Sequence, residues 1–239
     1  MRIALIGYGK MGKTIERIAT ERGHTIAAII DVSNKDDIKN LSGSVADVAI
    51  EFSQPESAFL NISHCLENNL PIVSGTTGWL QKKPVLDEIC RQNNGSFFYA
   101  SNYSIGVNIF FHLNKILAGL MKKFPEYAIA MEEIHHTEKK DAPSGTAITL
   151  AEGVMSQNSS KTKWVNDPAK NDNELEIVSK RIDQVAGTHT VFYDSPIDTI
   201  EIKHTAHSRE GFALGAVMAA EWTAKNRGVF GMNDLLKIS

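Results

Sequence analysis

Between Arg2 and Asp31 the chain reads apolar run, glycine cluster, periodic run, glycine, apolar run, acid, an order that few folds accept. Arg2 to Ile6 is a short apolar stretch of the kind buried on both faces of a parallel sheet. Gly7-Tyr-Gly-Lys-Met-Gly12 follows, then Lys13 to Glu21 with Ile15, Ile18 and Ala19 at helical spacing. Gly23 closes that helix, and Thr25 to Ile30 is a second strand that ends at Asp31. Gly7 permits a tight turn, Gly9 lets a pyrophosphate approach the backbone, and Gly12 lets helix and strand pack closely. An acid about 20 residues beyond such glycines binds ribose hydroxyls. A dinucleotide site is therefore expected at Gly7, Tyr8, Gly9, Lys10, Met11, Gly12 and Asp31. The Asp31 carboxylate accepts from both ribose hydroxyls but repels a 2′-phosphate, and Lys35 is the first cation after it. NADH is expected to be preferred, with NADPH use left open.

The alternation continues. Asp47 to Phe52, Pro71 to Ser74 and Ser96 to Ala100 read as strands, with helices over Pro55 to Asn68 and Gln81 to Asn93. Such alternation predicts a doubly wound parallel sheet, whose ligands bind beyond the carboxyl ends of its strands. Phe52-Ser-Gln-Pro55, Gly75-Thr-Thr-Gly78 and Ala100-Ser-Asn-Tyr103 fall there. Gly75, Thr76, Thr77, Ala100, Ser101, Asn102 and Tyr103 are accordingly expected to line the cofactor rim.

At 239 residues the chain can form one large domain or two small ones. A net charge of −3 offers no basic surface for nucleic acid, and the two cysteines lack the spacing of a zinc site or disulfide framework. Its start runs into glycines too soon for a signal peptide, and no apolar run reaches membrane-spanning length. A soluble, cytoplasmic protein is expected.

The second half carries a different kind of site. Val107 to Phe124 is an apolar-periodic helix (Ile109, Phe110, Leu113, Ile116, Leu117, Leu120) read as core. Tyr127 to Ile134 alternates like a strand and runs into Glu133-Ile-His-His-Thr-Glu-Lys-Lys-Asp-Ala-Pro-Ser-Gly-Thr-Ala147. Pro143 breaks the chain, and Ser144-Gly-Thr146 opens a helix over Ala147 to Met155. The unpaired N–H groups of that helix start make an anion site. Two imidazoles and two lysines beside it point to chemistry on an anionic substrate. Adjacent strand residues face opposite ways, so His135 and His136 are a poor chelating pair and no metal is expected. Ser156 to Asn173 is polar and reads as a mobile excursion or lid. Leu175 to Ile182, Thr188 to Tyr193 and Thr199 to His204 read as antiparallel neighbours that join Tyr127 to Ile134 in a second sheet. Phe212 to Ala224 is a final helix with a small-residue face at Ala213, Ala216, Ala219 and Ala220. Two domains are expected, joined near Ser104-Ile-Gly106, with nicotinamide and the polar loop facing one cleft.

These motifs, with Gly187-Thr-His-Thr-Val191, His204-Thr-Ala-His-Ser-Arg209 and Gly228-Val-Phe-Gly-Met232, resemble the dihydrodipicolinate (4-hydroxy-tetrahydrodipicolinate) reductases nearly end to end. The resemblance implies a Rossmann-type domain over 1–106 and 209–239, and an α+β substrate and oligomerisation domain with a mixed sheet over 107–208. It implies hydride transfer from NAD(P)H to C4 of a cyclic unsaturated imine dicarboxylate, after loss of water from the 4-hydroxy substrate, in lysine and diaminopimelate biosynthesis. By the same resemblance His135 and Lys139 supply protons. His136 and the backbone of Gly145 and Thr146, at the helix start that Ser144 opens, bind the substrate's carboxylates. A homotetramer built through the second domain's sheet is implied as well. Hydride addition to a conjugated imine leaves an electron-rich enamine that must take a proton at carbon, and imidazole and ammonium groups are suitable donors. Lys10 replaces the family's frequent Arg, Asp183 stands where Gly is common, and the long variable loop is short here. Another two-domain NAD(P)-dependent dehydrogenase would account for the first half alone. A non-catalytic NAD(P)H sensor would have no use for His135 and Lys139.

Overall fold

Continuous apolar runs place the first strands of the protein, whose computed structural model describes residues 1–238. β1 (Arg2–Ile6) leads through the glycine cluster into α1 (Lys10–Glu21), which starts inside the cluster with Gly9 as its N-terminal cap. β2 (Thr25–Ile30) follows, and Val32–Asn40 then winds in 3₁₀ turns with a kink at Asn34. β3 (Val48–Glu51), α2 (Pro55–Glu67), β4 (Ile72–Ser74), α3 (Lys83–Gln92) and β5 (Ser96–Tyr99) continue the alternation. Pro55 and Pro84 sit in the first turns of α2 and α3, where a missing N–H costs no helical hydrogen bond.

Next come α4 (Ile105–Met121), β6 (Ala128–His135), α5 (Gly145–Gln157), β7 (Lys163–Val165), β8 (Glu174–Arg181), β9 (Gly187–Asp194) and β10 (Thr199–Ala206). The chain ends in α6 (Glu210–Thr223), β11 (Gly228–Phe230) and α7 (Met232–Leu236). It divides into two units, one of Met1–Ile105 with the chain from Glu210 onward, the other Gly106–Arg209.

In the first unit six strands lie parallel in the order β11-β5-β4-β3-β1-β2. Successive strand residues alternate between two cores. Ile3, Leu5, Val48, Ile50, Val73 and Phe98 pack with α1 and with Ala213, Ala216 and Ala220 of α6. Ala4, Ile6, Ala49, Ile72 and Phe97 pack with α2 and α3 on the other side. β11 was not expected: three residues, the first a glycine and the next residue after them another, carry too little pattern to register as a strand.

The second unit is a mixed sheet in the order β10-β9-β6-β8-β7. Three sequence expectations need correction here. The strands at 174–181 and 187–194 are not neighbours, because each pairs with β6, the former parallel and the latter antiparallel. The polar stretch 156–173 contains β7, which adds a parallel edge strand to β8, so it is not simply a lid. Finally, Ile109, Leu113, Ile116 and Leu120 are not core, being 47–62% exposed; the opposite face of α4 buries Phe110, Ala118 and Met121. A helix apolar on both sides does not reveal its inner face by periodicity.

Candidate functional site

One face of the second sheet changes character along its length. Near one end Ile129 and Met131 of β6, Leu175 and Ile177 of β8, and Val191 and Tyr193 of β9 form the core under α4 and α5. Two residues further along each strand, on the same face, the row becomes polar. Register sets Ser179 beside Glu133, Glu133 opposite His189, and His189 opposite His204, and in the next row His135 beside Arg181.

Glu133 is fully buried and its carboxylate is the hub. Its oxygens accept the backbone N–H of Ser144 at 3.1 Å each, the Ser179 hydroxyl at 2.8 Å and the Arg181 guanidinium at 3.3 Å. Nε2 of His135 lies 3.4 Å from Glu133 Oε2 and 3.3 Å from Nε2 of His189. Burial alone would push the Glu133 carboxyl up. Hydrogen bonds from His135, His189, Ser144 and Ser179 outweigh it and hold the group well below the ordinary carboxylate range. Burial drives the His189 imidazole the other way, toward its neutral form, with the Glu133 hydrogen bond opposing.

The loop after β6 is tied to this floor. Arg181 donates to the carbonyls of Lys139 at 3.3 Å and Asp141 at 2.6 Å, while Thr137 donates to Asp183 at 2.6 Å. Asp183 thus anchors the loop rather than merely replacing a turn glycine. The Lys139 ammonium is 2.8 Å from both oxygens of Asp141, and this hydrogen bonding lowers the Asp141 carboxyl. His136 turns away from His135 and its Nε2 lies 3.2 Å from Arg209.

Ser144 caps α5, its Oγ accepting the Ala147 N–H at 3.2 Å and lying 3.2 Å from His189 Nε2. Gly145 is exposed and Thr146 half-buried, so the start of α5 is open to an anion. Glu133, His135 and His189 also present one metal-ligand atom each, all within 4.8 Å of one another. The Arg181 cation on the carboxylate and the unpartnered Nδ1 of His189, where a metal-bound imidazole ordinarily has an outer partner, suit a hydrogen-bonded cluster better than an ion.

In the first unit the predicted rim residues gather at the carboxyl ends of β1 to β5. Phe52 is their hinge. Its carbonyl lies where a Cβ on Gly7 would come within 2.0 Å, its ring abuts Gly75, and its centroid is 5.7 Å from that of Tyr103. Gly7 has φ +93°, which glycine adopts without strain. Tyr103 is buried and donates to the Ser74 carbonyl at 2.7 Å, and Ala100 is buried beside it. Thr76 is buried and donates to Glu51 at 2.8 Å, whereas Thr77 and Ser101 are exposed. Glu51, fully buried, also accepts the Ser74 hydroxyl at 2.6 Å and the Ser53 N–H at 3.0 Å, so one carboxylate ties two rim segments together. Asn102 caps its own turn by accepting from Ser104 N at 2.9 Å. Tyr8 donates to Glu16, Lys10 and Met11 begin α1, and Asp31 follows β2, its backbone N–H donating to Asn34 at 2.8 Å. Asp31 makes no ion pair among the described residues. No helix among the described residues is long and apolar enough to cross a membrane.

Glu133, His189, Arg181 and Glu51 were not singled out as site residues from sequence. Only strand register brings His189 to Glu133 across 56 positions (189 − 133), and a single sequence contains no signal for register at that range.

The family models and the most similar curated sequences agree. The family models described as dihydrodipicolinate reductase, N-terminus and C-terminus, match residues 1–103 and 106–236. The 4-hydroxy-tetrahydrodipicolinate reductase of Christiangramia forsetii is 52% identical over 99% of this chain and 98% of its own length. That of Methanosarcina barkeri is 33% identical over 99% of each. A dipicolinate-bound dihydrodipicolinate reductase from Paenisporosarcina sp. TG-14 shares the fold, with a TM-score of 0.79 at 22% identity over 98% of both chains. The chain belongs to the dihydrodipicolinate reductase family.

Proposed function

We propose that the chain reduces 4-hydroxy-tetrahydrodipicolinate, by way of dihydrodipicolinate, to tetrahydrodipicolinate with NAD(P)H, in lysine and diaminopimelate biosynthesis. The observation that carries this reading is the joining, in 15 residues of a chain 52% identical to a full-length reductase, of a buried proton-donor cluster to an open helix start. The first unit (1–106 and 209–239 on the sequence boundaries) holds the nucleotide at Gly7 to Gly12, Asp31, Gly75 to Thr77 and Ala100 to Tyr103. Free N–H groups at the start of α1 take the pyrophosphate. The second unit (107–208) holds the cyclic dicarboxylate on the N–H groups of Gly145 and Thr146 and on His136, with Ser144 setting the helix start. When bound, reduced nicotinamide supplies the hydride to C4. His135 and Lys139 hold the protons that the resulting enamine and the dehydration step require.

Asp31 without a neighbouring ion pair supports NADH as the preferred nucleotide. The exposed outer face of β10, an edge strand, supports assembly of a homotetramer through this sheet, and a biosynthetic enzyme of this kind works in the cytoplasm. Substitution of the donors tests the reading. His135→Ala and Lys139→Ala are each expected to lower kcat by about 10²-fold or more, with NADH affinity unchanged. Normal turnover in both variants would refute the assignment.

A further inference from the structure

The motif Gly187-Thr-His-Thr-Val191 has no role in the chemistry described so far, yet two of its side-chain positions touch the proton donor. Nε2 of His135 faces protein on both sides, 3.4 Å from the buried Glu133 carboxylate and 3.3 Å from His189 Nε2. His189 is itself fixed, since its Nε2 is 3.2 Å from Ser144 Oγ and 3.7 Å from Glu133 Oε2. Its buried Nδ1 has no partner, and a bare lone pair is tolerated there more readily than an N–H, so the proton of His189 belongs on Nε2. The other edge of the His135 ring lies against Gly187. A Cβ at that position would stand 2.9 Å from Cε1 and 3.3 Å from Nδ1, covering the nitrogen that protein does not otherwise engage.

We propose that His189 and Gly187 are positioning residues for proton donation: Glu133 accepts from the Nε2 edge of His135, the His189 ring packed edge-on against it fixes its orientation, and Gly187 keeps its Nδ1 edge open, so the transferred proton leaves from Nδ1. The inference rests on His135 being the donor. In the step, the enamine carbon left by hydride addition forms a C–H bond with its electron pair. The Nδ1–H bond of the imidazolium breaks and its pair stays on nitrogen, while the Nε2–H remains directed at Glu133. The charged and titratable groups facing the pair are Glu133 from its own strand, Arg181 from β8, His204 from β10, and Lys139 from the loop. An ionised Glu133 among these favours the neutral ring that keeps hydrogen on Nε2.

Long-range ¹H–¹⁵N spectra of the full-length protein labelled on histidine test this, with His135 assigned by its loss in His135→Gln. Neutral His135 is expected as the Nε2–H tautomer, and the Nδ1–H tautomer would overturn the proposal. Kinetics supply an independent arm. His189→Gln and Gly187→Ala are each expected to lower kcat by about 10-fold or more and to move the pH of half-maximal kcat, with KM for the dicarboxylate within about twofold. A merely structural loss would scale the active fraction and leave the pH midpoint in place. Wild-type kcat and pH profiles in both variants would overturn the proposal. If neither variant folds, the wild-type tautomer decides. A wild-type protein without substrate-dependent NADH oxidation would instead retire the function on which the inference rests, and the tautomer is read without turnover.

Discussion

Replacing Glu133 with Gln preserves shape and removes one acceptor from the hub of the second unit. The Ser144 N–H lies 3.1 Å from both carboxylate oxygens, and the Ser179 hydroxyl at 2.8 Å and Arg181 at 3.3 Å also donate. The new amide NH₂ therefore meets a donor whichever way it turns. A hydrogen bond to a charged group is worth about 1.5–3 kcal/mol, and cutting a buried ion pair from one side costs about 3–5 kcal/mol. Arg181 keeps the carbonyls of Lys139, Lys180 and Asp141, which reduces the second figure. A net loss of about 3 kcal/mol at pH 7 is expected, or roughly 6–12 °C in Tm for a chain of this size. The pH dependence has a definite sign. Hydrogen bonds hold the folded Glu133 carboxyl below its unfolded value, so its contribution is complete above about pH 4.3 and declines as pH falls further. Thermal and urea melts of wild type and Glu133→Gln between pH 7 and pH 3 measure both features. Equal stability at pH 7, or a difference that widens on acidification, would refute the role given to this carboxylate.

Other substitutions test the remaining parts. Gly7→Ala places a Cβ 2.0 Å from the Phe52 carbonyl at a backbone φ of +93°, so a lowered Tm and at least ~10-fold weaker NADH binding are expected by fluorescence titration. Asp31→Ser is expected to narrow the ratio of kcat/KM for NADH over NADPH by removing the carboxylate that repels a 2′-phosphate; an unchanged ratio would contradict that role. Ser144→Ala loses the cap on α5 and is expected to cost about 1 kcal/mol in urea melts. Burial holds His189 neutral in the fold, depressed below its unfolded value, so its contribution is present above about pH 6.5 and is lost below it. His189→Gln should therefore flatten the stability curve between pH 6.5 and the carboxylate range.

The first unit was legible because buried parallel strands write themselves as apolar runs and the glycines at 7 and 12 occupy positions where a Cβ would strike neighbouring backbone. Ser144 could be read as a cap from its place between Pro143 and an apolar run. Elements that depend on distant partners were not legible. β7 is three residues of an edge strand in a polar stretch, and its pairing with β8 leaves no local mark. The parallel pairing of β6 with β8 is likewise a matter of topology, which alternation alone does not specify. Among candidate site residues, His135, His136, Lys139 and Lys140 stood out by crowding, and the family resemblance singled out His135 and Lys139, while Glu133 looked like one acidic residue of two at a strand end. Its partner His189 lies on another strand, and its counter-ion Arg181 on a third. Chemistry concentrated in one segment can be read from sequence; chemistry assembled by register needs the fold.

Isotope transfer tests the central claim most directly. With NADH deuterated at the transferable C4 position of its nicotinamide and the cyclic 4-hydroxy substrate, the product is expected to carry one deuterium at its own C4, located by NMR. Product free of deuterium at that carbon, or deuterium lost to water, would contradict hydride transfer as the reaction of this protein.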